Sequence, residues 1–216
     1  MKMPATRGMK LSMRGLWFAA CLLISTGAWA QTAPVAAQKT QLSGDLGVSY
    51  LLERSKLAPG NCGCFWLQGG GVDGAVNLWN GLGVAASFTG SHAGGVAPGV
   101  DVNTLTFAAG PRYTYTTWTG RADERRLQIF GQGLFGEVYG FDGVYPASKA
   151  ATSSANSLSI EAGAGVNLLF SKHLGVRLIQ AEYVRTALPN NASNIQDDLR
   201  LSFGVTYHLG AGAARR

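Results

Sequence analysis

The chain has 216 residues and a formal net charge of +6, from 18 Lys and Arg against 12 Asp and Glu. The first thirty residues hold four of those basic side chains and no acidic one, which leaves 14 against 12, a net of +2, for the rest. That balance argues against a nucleic-acid-binding surface, the more so because the internal basic pair Arg125 and Arg126 directly follows Asp123 and Glu124.

The amino terminus carries Lys2, Arg7, Lys10 and Arg14, then an uncharged apolar run from Gly15 to Ile24, then a segment ending Ala28-Trp29-Ala30. A basic region, a short apolar core and an Ala-x-Ala site are the three parts of a secretory signal peptide. Residues 1–30 are therefore expected to be an export signal, with Gln31 as the first residue of the mature chain; a lipoprotein signal ending at Cys21 is the weaker competitor. Residues 31–42 read as a flexible leader, expected in the periplasm.

From there on the chain has strand character and no long run of helical periodicity. Eight segments are expected as strands: 43–52, 70–79, 82–91, 102–116, 126–139, 157–169, 174–185 and 198–209. The connections alternate in length. Asn80-Gly81 is a favoured two-residue hairpin turn. Residues 170–173 and a charged stretch around 120–125 are also short, whereas 53–69, 92–101, 140–156 and 186–197 are longer. An even-stranded antiparallel barrel with short turns at one rim and long loops at the other has this pattern, with both termini at the short-turn rim. Pro111 interrupts the fourth strand, where a bulge is expected.

Within the strands apolar residues alternate with small or polar ones. Leu46, Val48, Tyr50 and Leu52 share one face of the first strand, and Leu158, Ile160, Ala162, Ala164, Val166 and Leu168 one face of the sixth. The opposite faces hold Asp45, Gly47 and Ser49, and Ser159, Glu161, Gly163, Gly165 and Asn167. A soluble barrel turns its apolar face inward, so periodicity alone does not fix the polarity. The aromatics do. Tyr50, Phe88, Phe135, Tyr139 and Tyr183 fall near one rim, and Trp79, Tyr113, Tyr115, Trp118, Phe170 and Tyr207 near the other. Two aromatic bands flanking aliphatic residues are what the two interfaces of a membrane select. The expected fold class is therefore all-β, an eight-stranded antiparallel up-and-down transmembrane β-barrel over 43–209, with a periplasmic tail at 210–216.

Three stretches carry a family resemblance: Leu105-Thr-Phe-Ala-Ala-Gly-Pro-Arg-Tyr113, Leu127-Gln-Ile-Phe-Gly-Gln-Gly-Leu-Phe-Gly136, and Val176-Arg-Leu-Ile-Gln-Ala-Glu-Tyr-Val-Arg-Thr186 followed by the last strand. With them the chain resembles the eight-stranded outer-membrane barrels that include the OmpA transmembrane domain, OmpX and the opacity proteins. The closing Tyr207-His-Leu209 resembles the carboxy-terminal signal that the barrel assembly machinery reads in such proteins, with Leu in place of the usual final Phe and seven residues following. The resemblance implies outer-membrane localisation and contact with outer-membrane lipid. It identifies architecture more than activity.

Candidate chemistry is sparse. A hydrolase resembling the lipid A deacylases would need a nucleophile beside a positioned base at the outer rim. Only His92, next to Ser91, lies there, and extended backbone turns the two to opposite faces. No catalytic, cofactor or metal site is expected. Cys62 and Cys64, as Cys-Gly-Cys in an exported chain, are expected in a local or intermolecular disulfide, free thiols being the next reading. Arg112, Glu161, Glu182 and Arg200 are expected to face the lumen as a structural charge network. Phe65 and Trp66 in the first loop and Phe141 and Tyr145 in the third are candidate contacts for an extracellular ligand of unspecified chemistry, the equal alternative being that they pack on one another or reach the lipid headgroups. The expected function is a non-enzymatic outer-membrane barrel with a structural or surface-interaction role; the alternatives are a small channel with a charged lumen and a lipid-modifying enzyme.

Overall fold

The computed structural model describes residues 43–56, 64–97, 100–118, 125–146, 151–190 and 194–210. The expected signal and leader, Cys62 and the tail beyond Gly210 lie outside the described residues.

Eight strands make up the described chain: β1 (Ser43–Lys56), β2 (Cys64–Trp79), β3 (Leu82–Ala97), β4 (Val100–Trp118), β5 (Arg126–Tyr145), β6 (Thr152–Leu169), β7 (Leu174–Thr186) and β8 (Gln196–Leu209). Each pairs antiparallel with the next, and β8 returns to β1 through a ladder from Gly44↔Leu209 to Arg54↔Leu199, closing the barrel. Closure leaves no unpaired edge. At the β2–β3 turn Asn80 and Gly81 both take positive φ, 47° and 83°, the backbone that a two-residue hairpin requires.

The alternation sets the polarity of the wall. On β8, Leu199, Phe203, Val205, Tyr207 and Leu209 are exposed, whereas Asp198, Arg200, Ser202, Thr206 and His208 are buried. The other strands follow the same rule, with Val48, Val84, Phe107, Phe135 and Leu158 all exposed. A continuous apolar outer wall around a charged interior is the polarity of a transmembrane barrel, because water would not tolerate so large an apolar surface. The aromatics expected in the two bands are exposed on this wall wherever their side chains are described.

Exposed polar pairs form a collar at the level of the outer aromatic band and just beyond it. Tyr50 Oη donates to Gln68 Oε1 at 2.9 Å, His92 Nδ1 lies 2.8 Å from Asn103 Oδ1, and Asn156 Nδ2 donates to Glu137 Oε1 at 2.7 Å. Tyr183 Oη donates to Asp197, which also pairs with Arg185 at 3.7 Å. Such cross-strand pairs suit the headgroup level, where the wall leaves hydrocarbon.

Several strands continue past this collar, which corrects three expectations. β2 to β6 run for 16 to 20 residues, where a tilted span needs about 9–11. The inner ends fall within two residues of the expected positions, but the outer ends extend by up to six. The stretch 92–101 is not a long loop, since β3 and β4 pair as far as Ala97↔Val100. Phe65 and Trp66 belong to β2 rather than to a loop, and Phe141 and Tyr145 belong to β5. The reason is physical. Beyond the collar neither face meets lipid, so segments such as Ser91-His-Ala-Gly-Gly-Val-Ala97 lose the apolar alternation while the backbone ladder continues. Nor is there a bulge at Pro111: Ala109↔Phe135 and Arg112↔Gln132 keep one register across it, and Pro111 lies opposite Val84.

A bulge does occur in β7. Its register with β8 shifts between Arg177 and Gln180, and Leu178 and Ile179 both face outward. This extra residue reverses the phase of the strand. Arg177 below it and Glu182 above it, an odd number of residues apart, therefore both face the lumen.

Candidate functional site

Two charge clusters fill the barrel interior. The outer one centres on Arg200, whose side chain is 3% exposed. Its Nε donates to Glu53 Oε2 at 2.7 Å from β1, and its Nη1 donates to Glu161 Oε1 at 3.0 Å from β6. Glu182 Oε2 stands 4.0 Å from the same Nη1, and Glu182 Oε1 accepts a hydrogen bond from Gln132 Nε2 at 2.8 Å. One guanidinium thus holds three strands together from within, with charge-assisted hydrogen bonds as the strongest links.

The inner cluster centres on Asp73. Arg177 donates from Nη1 to Oδ1 at 2.5 Å and from Nη2 to Oδ2 at 2.9 Å, while its Nε donates to Asn167 Oδ1 at 3.2 Å. Asn167 Nδ2 in turn donates to Gln128 Oε1 at 3.2 Å, Gln128 Nε2 lies 3.5 Å from Asp45 Oδ1, and that oxygen is 2.7 Å from His208 Nδ1. Arg112 joins at the other side, with Nη1 3.6 Å from Asp73 Oδ2 and its guanidinium carbon 3.6 Å above the centre of the Phe130 ring. The face of a buried aromatic ring is a favourable surface for such a cation.

Glu161, Glu182 and Arg200 are therefore in one cluster, and Arg112 is in the other. Sequence reasoning missed Glu53, Asp73 and Arg177, which complete the pairs. Glu53 lies one residue past the expected end of β1 and in phase with Asp45, so extending that alternation would have found it. Asp73 sits in Gly69-Gly-Gly-Val-Asp-Gly74, where the glycines blur the phase, and Arg177 lies just before the β7 bulge.

Apolar side chains seal the space between the polar groups. Leu51 and Leu134 are fully buried, and Leu134 packs with Ala75, Ala85 and Ala108. Eight strands enclose an interior that side chains can fill.

Beyond the outer cluster the lumen opens into a cavity of about 250 Å³. Its wall is largely apolar, with Leu67, Val102, Val138, Val184 and Leu188; Glu53, Asp198 and Arg200 are its charged lining, and Ser, Thr, Asn and Gln side chains complete the polar part. Tyr145 lines it as well, buried against Val138 and Leu188, and Phe65 is a further wall residue. Trp66 is on the outer surface and strongly exposed. Phe141 stacks on Tyr139 at 5.8 Å between ring centres.

The remaining candidates do not converge. Ser91 is buried, with Oγ 2.6 Å from Thr104 Oγ1, whereas His92 is exposed on the other face beside Asn103. Cys64 is an exposed free thiol at the start of β2. Among the described residues no three His, Cys, Asp or Glu side chains group as metal ligands.

No protein-family model matches the chain, and no curated protein matches it in sequence. Solved structures do. Neisserial surface protein A superposes with a TM-score of 0.54 at 13% identity, over 76% of this chain and 96% of that one. The chain has the eight-stranded outer-membrane barrel fold. Ail of Yersinia pestis, solved with the heparin analogue sucrose octasulfate, is similar at 16% identity, 78% and 99% coverage and a TM-score of 0.48. The N-terminal barrel domain of Pseudomonas aeruginosa OprF gives 13%, 76% and 97%, and 0.40.

Proposed function

We propose that the chain is a non-enzymatic barrel of the outer membrane, with a structural interior and a surface-interaction role carried by the end that projects beyond the lipid. The filled lumen is the observation that carries this reading. Two buried clusters, around Arg200 and Asp73, fill the lumen with paired charges that link strands from within, which favours a scaffold over a channel. The long outer ends of β2 to β6 supply the projecting surface, together with the exposed Trp66 and the connections that follow it. Outer-membrane lipid is the partner of the apolar wall. In the same reading residues 1–30 are an export signal removed after Ala30, and Tyr207 to Leu209 are read by the barrel assembly machinery.

Single cysteines test the placement in intact cells, in a background with Cys62 and Cys64 changed to Ser. A membrane-impermeant maleimide should label Arg54→Cys at the outer end of β1, and should label Lys172→Cys at the β6–β7 turn only after the cells are broken. Labelling in the reverse order would invert the barrel, and no labelling of either variant in intact cells would remove the surface role.

A further inference from the structure

We infer that the cavity at the outer end of the lumen is a binding site for a small organic cation, an apolar body carrying one ammonium or amidinium group. At about 250 Å³ it lies below the roughly 300–1,000 Å³ of sites for drug-sized ligands, so its occupant is small. The wall formed by Leu67, Val102, Val138, Val184 and Leu188 selects an apolar body. The polar end of the cavity is acidic. Glu53 and Asp198 line it together with Arg200, whose guanidinium is already shared among three carboxyl groups, Glu53, Glu161 and Glu182 at 2.7, 3.0 and 4.0 Å, so that Asp198 is a fourth carboxyl group without an ion pair of its own among the described residues.

Two buried polar atoms around the cavity lack partners. Asp198 is 6% exposed and its Oδ1 accepts no hydrogen bond; Tyr145 is 7% exposed and its Oη makes none. Buried polar atoms are rarely left so, because each unmade hydrogen bond costs stability. An ammonium group has several N–H donors and a positive charge, and it supplies the donor that Asp198 Oδ1 lacks while offsetting the surplus of carboxyl groups. A neutral ligand would leave that surplus, and an anion would add to it. An inorganic cation would gain nothing from the apolar wall, and no metal-ligand group occurs among the described residues.

The inference rests on the surface-barrel reading only for the side from which the ligand enters, so the test uses purified full-length protein in phospholipid nanodiscs, where orientation is irrelevant. Calorimetric titrations compare phenethylammonium, neutral 2-phenylethanol and anionic 3-phenylpropionate, which share one apolar body. The ammonium probe should bind saturably at one site, about tenfold or more tighter than the alcohol, the advantage of a charged hydrogen bond, and the anion should not bind. Asp198→Asn should reduce the ammonium preference to about threefold or less. Leu188→Trp, which fills the cavity from outside the strands, should abolish saturable binding. Heat-modifiable gel mobility reports whether each variant is folded, and if Asp198→Asn does not fold, the wild-type probe ratio and Leu188→Trp decide. Equal affinity for ammonium and alcohol, or ammonium binding unchanged in Leu188→Trp, would overturn the proposal. Failure of the cysteine-labelling pattern would leave these titrations unaffected and would count against the surface role alone.

Discussion

Arg177 reaches across the barrel to Asp73 and closes on it with both ends of its guanidinium, Nη1 to Oδ1 at 2.5 Å and Nη2 to Oδ2 at 2.9 Å, although the two residues are 104 apart in the chain. Arg112 shares the same carboxylate from the other side. Removing Asp73 therefore strands two buried cations, whereas removing Arg177 leaves one carboxylate still facing Arg112. Asp73→Asn should destabilise the barrel by about 3–5 kcal/mol, and Arg177→Met by less. Urea unfolding in lipid vesicles measures both. A larger loss for Arg177→Met would show that Arg112 does not depend on Asp73.

Gly47 makes room for that pair. A Cβ at this position on the inner face of β1 would stand 2.5 Å from Asp73 Oδ1 and 3.0 Å from Arg177 Nη2. Gly47→Val should cost about 1–3 kcal/mol by forcing the two apart. Gly133→Ala, where a Cβ meets nothing within 4 Å, should be close to neutral. Equal stability of the two variants would mean that the pair can shift to accommodate the methyl groups.

Depth along one strand gives a third expectation. Val84 and His92 both face outward on β3, Val84 within the apolar band and His92 in the polar collar. An Arg at Val84 should cost about 2–4 kcal/mol, and the same residue at His92 about 0–1 kcal/mol. Unfolding in vesicles again reads the difference. Comparable losses at both positions would place the collar inside the hydrocarbon.

Much of this fold was legible because lipid imposes a period of two. Leu199, Leu201, Phe203, Val205, Tyr207 and Leu209 name the strand, its face and its inner end at once. Where lipid ends, so does the signal: glycines interrupt the outer parts of β3 (Gly94, Gly95) and β5 (Gly140, Gly143), and Tyr145 reads as a loop residue although it lines the cavity. The charge network was half legible. Arg112, Glu161 and Arg200 announce themselves as charges in the small-residue phase of regular strands. Asp73 lies among glycines and Arg177 next to a bulge, and which partner each charge takes depends on the stagger of strands around the closed barrel. The cavity had no local signature, because its wall comes from residues of β1, β2, β3, β4, β5, β7 and β8 and the segment after β7.

Conductance of the purified protein in planar bilayers tests the filled lumen most directly. With Arg200 bonded to Glu53 and Glu161, and Arg177 to Asp73, the wild type should show no large, steady channel. Glu161→Ala should lower stability, by removing a buried partner of Arg200, without opening one. A stable open channel in the wild type, with an ion selectivity that changes in Glu161→Gln, would contradict the account and make the charge clusters the lining of a pore.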